Sequence, residues 1–294
     1  MVKAKVIEEN DEKISILLSD ADRAFVNAIR RTLLSDTPKM AIDTVRFEMG
    51  TIEQDGEIWE TNGPLPDEVV AQRLAMIPIP TKHDEFHFQD SCPSCAELVV
   101  EDRGCPLCTM IYTCKAFGSE GGRTVTAGDM SFLGAGGSIS EKYHSIPITR
   151  LSHGQMIEFY ATAIMGRGRD HAKWSPVCGI AFSPRQVGVL NVKTRSKILW
   201  DLNLTITAKD FDSDGRLEDI GKVAQLVNDL HHVGEGTEEA MDFKNAITLE
   251  DVPGEYIISF ESDGSMTARV AFQKAIEELS GRFGELKEDI AAVM

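Results

Sequence analysis

Positive charge is scarce in this chain. Its 294 residues hold 30 Lys and Arg against 47 Asp and Glu, a formal net charge of −17. Gripping a nucleic-acid backbone takes clustered cations, so this balance argues against a free-standing DNA or RNA binder and leaves direct DNA contact to other chains. Long apolar runs are missing too. None approaches the roughly 20 residues that span a bilayer, and the opening MVKAKVIEENDEK has no basic segment followed by an apolar core. The expectation is a soluble, cytoplasmic chain with no membrane partner. Recognised catalytic patterns are also lacking: there is no Ser-centred elbow, HExxH, phosphate loop or paired Cys/His arrangement. The glycine runs SEGG and GAGG have neither the following helix nor the Lys-Ser/Thr of a phosphate cradle, and they read as turns. Cysteines number six. A chain of this size can bury about 75% of its surface without metal or disulfides, and it is long enough for two domains.

What is present is organised around LSDADRAFVNAIRRTLLSDTPKMAIDTVRFEM, residues 18–49. Ser19 or Asp20 is the expected N-cap, and Pro38 discourages a helix from continuing past Asp36 or Thr37. Phe25, Ile29 and Leu33 fall four apart, with Val26 on their flank, and make one apolar stripe. Arg23, Asn27, Arg30 and Arg31 occupy the other side. Such a face is solvated on the plain reading; on the sharper one the helix is clamped between its own core and an acidic or polar neighbour. After Pro38, Val45, Phe47 and Met49 alternate with polar residues as a strand.

The rest reads in order. Residues 2–8 and 13–18 are expected as strands around a turn at Glu9-Asn10-Asp11. Residues 50–63 are turn-rich, and a helix begins near Leu65, with Asp67 and Glu68 at its start and Val69, Val70, Leu74 and Ile77 on its apolar side, ending at Pro78 and Pro80. ELVVED and TMIYTCKAF look like strands, and so does the alternation Ile157, Phe159, Ala161, Ala163, Met165. Residues 187–211 are strand-like in two parts, before an amphipathic helix with Ile220, Val223, Leu226, Val227 and Leu230. GEYIISFESDGSM is a strand. Beyond it Phe272, Ile276, Leu279, Phe283, Leu286 and Ile290 alternate four and three apart, a heptad seam that suits either an ordinary core helix or one paired with another chain. Gly281 and Gly284 weaken that helix, so it needs packing to persist.

Four cysteines stand in two CxxC pairs, Cys92/Cys95 and Cys105/Cys108, separated by nine residues. In each pair the intervening dipeptide bends the backbone so that both thiolates reach one ion, and two such turns make a closed tetrahedral site at about 2.3 Å. A closed site has no position for water, so a structural zinc is expected; an iron–sulfur cluster or reduced, unligated thiols are the alternatives. The gap is shorter than zinc-ribbon spacing usually is. Cys114 and Cys178 are expected to be buried free thiols.

NAIRRTLLSDTPKMAIDTVRF resembles the signature stretch of the alpha-like subunits of multisubunit RNA polymerases, and within that family the chain is most similar to the archaeal members. Asp67, Glu68, Arg73, Leu74, Ile77 and Pro78 match the family's short helix ending in RL and then IP. Gly166, Gly168, Arg169, His171, Ala172, Lys173 and Trp174 resemble its glycine-basic-HAKW loop. The resemblance implies an α+β fold: an alpha-subunit-like dimerisation domain built from both chain ends, 1–48 and 250–294, with an inserted mainly β domain over 49–175 that carries the metal knuckle. A eukaryotic relative binds zinc in a comparable place with different cysteine spacing. Residues 176–249 fall where many archaeal relatives carry a ferredoxin-like iron–sulfur module. Here Cys178 is the only cysteine after residue 166, so such a module is expected to hold no cluster.

The implied role is a non-catalytic assembly platform in a nucleotidyltransferase complex. It would pair with a smaller alpha-like subunit and recruit the large catalytic subunits and small assembly subunits. Phe25, Ile29 and Leu33 with Phe272, Ile276, Leu279, Phe283 and Leu286 would bury apolar area against the chain's own sheet and the small partner. Arg23, Arg30 and Arg31, together with Arg167, Arg169 and Lys173 as the charged teeth of the loop and Trp174 as its anchor, would meet the large subunits. The competing expectations are an enzyme in its own right and a free-standing zinc-dependent adaptor unrelated to transcription.

Overall fold

The computed structural model describes residues 2–54, 56–134, 136–191, 206–232 and 246–293. The chain groups into two compact units, Met1–Ile7 with Ser15–Asn27 and Ala181–Ser259, and Glu8–Ile14 with Ala28–Ile180 and Phe260–Met294. Sheet predominates over helix in a mixed α/β fold.

The larger unit is built on the alternating segments. β3 (Pro38–Phe47), β6 (Thr109–Phe117), β8 (Ser131–Phe132) and β10 (Met156–Arg167) form an antiparallel sheet in the order β3-β10-β6-β8. Phe159 sits opposite both Phe47 and Cys114, and Ala163 opposite both Ile42 and Met110, so the apolar residues of three strands share one face. That face is the main core, where Phe159, Ala161, Ala163, Tyr112 and Met40 are sealed from solvent. Truncating a ring such as Phe159 in this setting costs about 3–5 kcal/mol. The register slips between Thr162 and Ala163, which leaves Asp43 of β3 without a residue opposite. Such a bulge re-aims a side chain, and the carboxylate of Asp43 meets Lys173 Nζ at 2.6 Å.

Helix α2 (Asp67–Ala75) covers the sheet face with Val70 and Leu74, one turn apart, followed by Ile77 and Ile79. It stops two residues short of Pro78, whose ring disfavours helical geometry in the residue before it. Val69, expected on the apolar side, is exposed instead, because the buried face is set by Val70 and Leu74. The turn-rich segment contains a short hairpin, β4 (Thr51–Gln54) and β5 (Glu57–Glu60). A second two-stranded ribbon pairs β7 (Arg123–Thr126) with β9 (Pro147–Leu151), and its Val125, Ile148 and Leu151 join the core. Strand β3 ends at Phe47, which leaves Met49 exposed beyond it.

A five-stranded sheet, most of whose residues belong to the smaller unit, is formed by β1 (Lys3–Glu9), β2 (Lys13–Ser19), β13 (Ile247–Ser262), β11 (Val177–Leu190) and β12 (Arg216–Leu217), in that order. The Asn10 side chain accepts from the backbone N–H groups of Glu12 and Lys13 and makes the expected turn between β1 and β2. Helix α3 (Ile220–His232) starts at Asp219, whose carboxylate accepts from the Lys222 N–H. Its Val223 and Leu226 pack with Ile206, Leu217 and Ile247. The strand-like reading over 192–205 and the place of Leu230 lie outside the described residues and side chains.

Helix α1 (Arg23–Ser35) is capped by Asp22, whose carboxylate accepts from the Phe25 N–H at 2.7 Å. The expected caps are thus displaced: Asp20 has a left-handed φ of 56°, and the chain turns there before the helix begins. Val26, Ile29 and Leu33 are completely buried, Phe25 and Arg30 half-buried, and Arg23 and Arg31 exposed. The C-terminal helix, α4 (Ala268–Val293), buries Ala268, Ala271 and Ala275.

Candidate functional site

Cys92 and Cys105 each open the same local turn. The N–H groups of Cys95 and Ala96 donate to Cys92 O, and those of Cys108 and Thr109 donate to Cys105 O. Repeating one turn twice brings four sulfurs together, all within 4.8 Å of one another. The closest pairs are Cys92–Cys105 at 3.4 Å and Cys105–Cys108 and Cys95–Cys108 at 3.8 Å. A tetrahedron of sulfurs about 2.3 Å from a central ion has edges of about 3.8 Å, so the spacing fits a metal-sized centre. Cys92, Cys95 and Cys108 are buried. The backbone N–H of Gly104, with that of Cys105, draws the Cys95 thiol down to about 7, while burial beside Cys105 pushes Cys108 up. Several thiolates can share this space only around a cation.

ELVVED, expected as a strand, lies inside the knuckle as a turn, with a short 3₁₀ segment at Val100–Asp102. It has no strand partner among the described residues; the Arg103 guanidinium donates to Leu98 O and Ala96 O instead. TMIYTCKAF is β6 from end to end, starting on the residue after Cys108. Cys114 is buried as expected, its thiol pushed up to about 12 by burial. Cys178 is exposed, contrary to expectation, because it sits on an outward position of β11.

The glycine-basic-HAKW loop lies where β10 ends. Gly166 and Gly168 are there for close approach: a Cβ on the first would overlap the Trp174 indole, and on the second the Leu34 carbonyl. Trp174 therefore packs inward and donates from Nε1 to Ile164 O at 3.2 Å. Lys173 is buried, pairs with Asp43 and lies over the Trp174 ring. Arg169 keeps about half its side chain in solvent and reaches Asp36 at 3.6 Å. His171 accepts from the Lys173 N–H through Nδ1. These residues brace one another, and three carboxylates take part: Asp36 and Asp43, both inside the signature stretch, and Glu278, which no motif marked. Glu278 pairs with Arg167 at 2.6 Å and Asp36 with Arg282 at 2.6 Å. Glu278 and Arg282 stand one helical turn apart, which was their only sequence signal.

The seam on α4 divides in two. Phe272, Ile276 and Leu279 are half-buried beside the alanines, and Phe272 stacks on Phe260. Phe283, Leu286 and Ile290 are more than half exposed, at 58%, 52% and 51%. Singly, exposed apolar residues are ordinary; three on one stripe of one helix are a surface awaiting cover. No helix among the described residues is long and apolar enough to cross a membrane.

Comparison with known proteins accounts for this layout. Residues 15–283 match the RNA polymerase Rpb3/Rpb11 dimerisation domain. The protein named DNA-directed RNA polymerase subunit Rpo3 in Picrophilus torridus is 31% identical over 287 residues, covering 97% of this chain and 98% of that one. The subunit of the same name in Thermoplasma volcanium is 29% identical over 99% of this chain and 100% of its own. That of Archaeoglobus fulgidus is 28% identical over 100% and 99%. With its exposed apolar helix and matching segments from end to end, the chain belongs to the RNA polymerase Rpb3/Rpb11 dimerisation-domain family, alongside the archaeal Rpo3 proteins.

Proposed function

We propose that this protein is the assembly platform of a DNA-directed RNA polymerase and carries no active site of its own. Residues 1–48 and 250–294 serve as the docking domain, 49–175 as an insertion stiffened by the knuckle, and 176–249 as an extension. The observation that carries the reading is the stripe Phe283, Leu286 and Ile290, left open in a chain of a dimerisation family. A smaller alpha-like chain covers that stripe together with Phe272, Ile276 and Leu279, removing apolar surface worth about 25 cal/mol per Å².

Large catalytic subunits and small assembly subunits then meet the polar surface. Arg30, Arg31 and Arg169 provide its cations, whose planar forks suit carboxylates on a neighbour. Phe25, Ile29 and Leu33 hold their helix in place beneath those arginines. Lys173 and Trp174 contribute from inside the loop, fixing the backbone that presents Arg169. Cys92, Cys95, Cys105 and Cys108 hold a structural zinc, which links the two knuckle turns. The complex works in the cytoplasm, and DNA is left to other subunits, consistent with the net charge of −17.

Co-expression with a small alpha-like chain, followed by sizing, tests this. A one-to-one pair is expected. Replacing Leu279 and Phe283 by Asp should abolish it, while replacing Arg30 and Arg31 by Ala should keep the pair and block recruitment of the large subunits. A wild-type chain that stays alone in the presence of the small chain sinks the proposal.

A further inference from the structure

Helix α4 leaves its support abruptly. Its last buried residue is Ala275, and from Phe283 to Val293 every residue is exposed, an overhang of about 16 Å at 1.5 Å per residue. Two ion pairs stand at the point of departure. Glu278 receives both arms of the Arg167 guanidinium, at 2.6 and 3.3 Å, and Arg282 donates to Asp36 at 2.6 Å. Arg167 also donates to the Asp36 carbonyl, which joins the two pairs into one network. Asp36 is at the end of α1 and its side chain is 9% exposed; those of Arg167 and Glu278 are 18% and 25% exposed. This is a half-dry setting, in which charged hydrogen bonds hold geometry better than surface pairs do.

The network lies on a definite side of the helix. At about 100° per residue, Glu278 and Arg282 continue the face that buries Ala268, Ala271 and Ala275, and they sit about 90° from the Phe283/Leu286/Ile290 stripe. The pairs therefore hold the helix without occupying its apolar face. They also fall beside Gly281 and Gly284, where the helix is intrinsically weakest and a Cβ would meet only open space.

We propose that Asp36, Arg167, Glu278 and Arg282 are positioning residues for partner docking: an ionic clasp that fixes the direction of the α4 overhang before the second chain arrives. An overhang held in its bound direction loses less conformational freedom on association, so the clasp raises affinity without touching the partner. The inference rests on the docking role proposed above, and its test separates the two.

Arg282→Gln, Glu278→Gln, Asp36→Asn and the double change Asp36→Asn with Arg282→Gln are compared in the full-length chain. Binding to the small alpha-like chain and hydrogen exchange in the isolated protein are both measured. Each single change should weaken pairing about tenfold, and the double should be no worse than the weaker single, as for residues acting as one unit. Amides of 283–293 should exchange faster while those of β10 keep their protection. Arg282→Lys, which retains charge but not the fork, should fall between wild type and Arg282→Gln. Pairing within about twofold of wild type in all variants, with unchanged exchange at 283–293, overturns the clasp. Loss of β10 protection in step with affinity also overturns it, since the residues would then be supporting the sheet. A wild-type chain that does not pair removes the docking role, and the exchange of 283–293 still decides the clasp.

Discussion

Lys39 has 4% of its side chain exposed, yet it carries a charge on a chain of net negative sign. Its ammonium pairs with Asp263 and donates to the Lys173 carbonyl at 2.8 Å, so the first residues of β3 are tied to the turn before α4 and to the HAKW loop. Breaking a pair of this kind costs about 3–5 kcal/mol, because the surviving charge stays buried. Nearby, His83 donates from Nε2 to Pro38 O at 3.0 Å. Burial lowers its pKa, and Lys274 adds to the lowering; the bond to Pro38 O, which favours the charged ring, and the carboxylates of Asp84 and Glu277 oppose it without reversing it. The unfolded chain takes up a proton near the ordinary value of about 6.5 and the folded chain only at lower pH, so this contribution is complete above that value and is lost as pH falls through the window. His83→Gln keeps the donor and cannot titrate. Between pH values of about 7.5 and 5.5, urea melts should show the wild type losing stability relative to this variant; parallel losses would refute the assignment. None of this was legible in the sequence, where no pattern singles out Lys39 or His83. Trp174 was equally opaque, since only the crowding at Gly166 shows that the ring must turn inward.

At the scale of elements, period was the reliable guide and capping the weaker one. The alternation 157–165 and the segment TMIYTCKAF became β10 and β6, because the register puts every alternate residue on the core side. ELVVED failed as a strand for a reason of context: it is enclosed between two cysteine turns and pairs with no strand among the described residues. The heptad seam of α4 was visible, but the alanines that bury its first half were not, since Ala carries little hydrophobic weight in such a pattern. Gly281 has open space where a Cβ would stand. Gly281→Ala should therefore stabilise α4 by about 1 kcal/mol, a gain read as a higher urea midpoint. As residue 281 lies on the side of the helix away from the stripe, partner affinity should not fall. A lower midpoint would mean the glycine serves a contact on that side.

For the whole molecule, the family was legible from ordered motifs because they belong to one structural job. Segments at 36–43, 166–174 and 263–282 converge through the ion pairs Asp36–Arg282, Asp43–Lys173, Lys39–Asp263 and Arg167–Glu278. Such residues brace a platform, and that explains recognisable motifs in a chain without recognised catalytic patterns. The knuckle is supported differently. Its interior is four sulfurs, so removing metal should loosen residues 92–108 and leave the sheets standing. Chelation at neutral pH should open a protease site near Arg103, while exchange at β10 stays slow. Cooperative loss of both would mean that the sheet depends on the ion.

Cys108 is followed directly by Thr109, the first residue of β6. That adjacency makes this stretch intolerant of changes in length. Extra residues between Ala96 and Arg103 would only enlarge an exposed bend. One residue inserted after Cys108 would turn Met110, Tyr112, Cys114 and Ala116 outward all at once, since side chains alternate at every step of a strand. Insertions and deletions among natural variants should therefore gather in the first stretch and avoid the second.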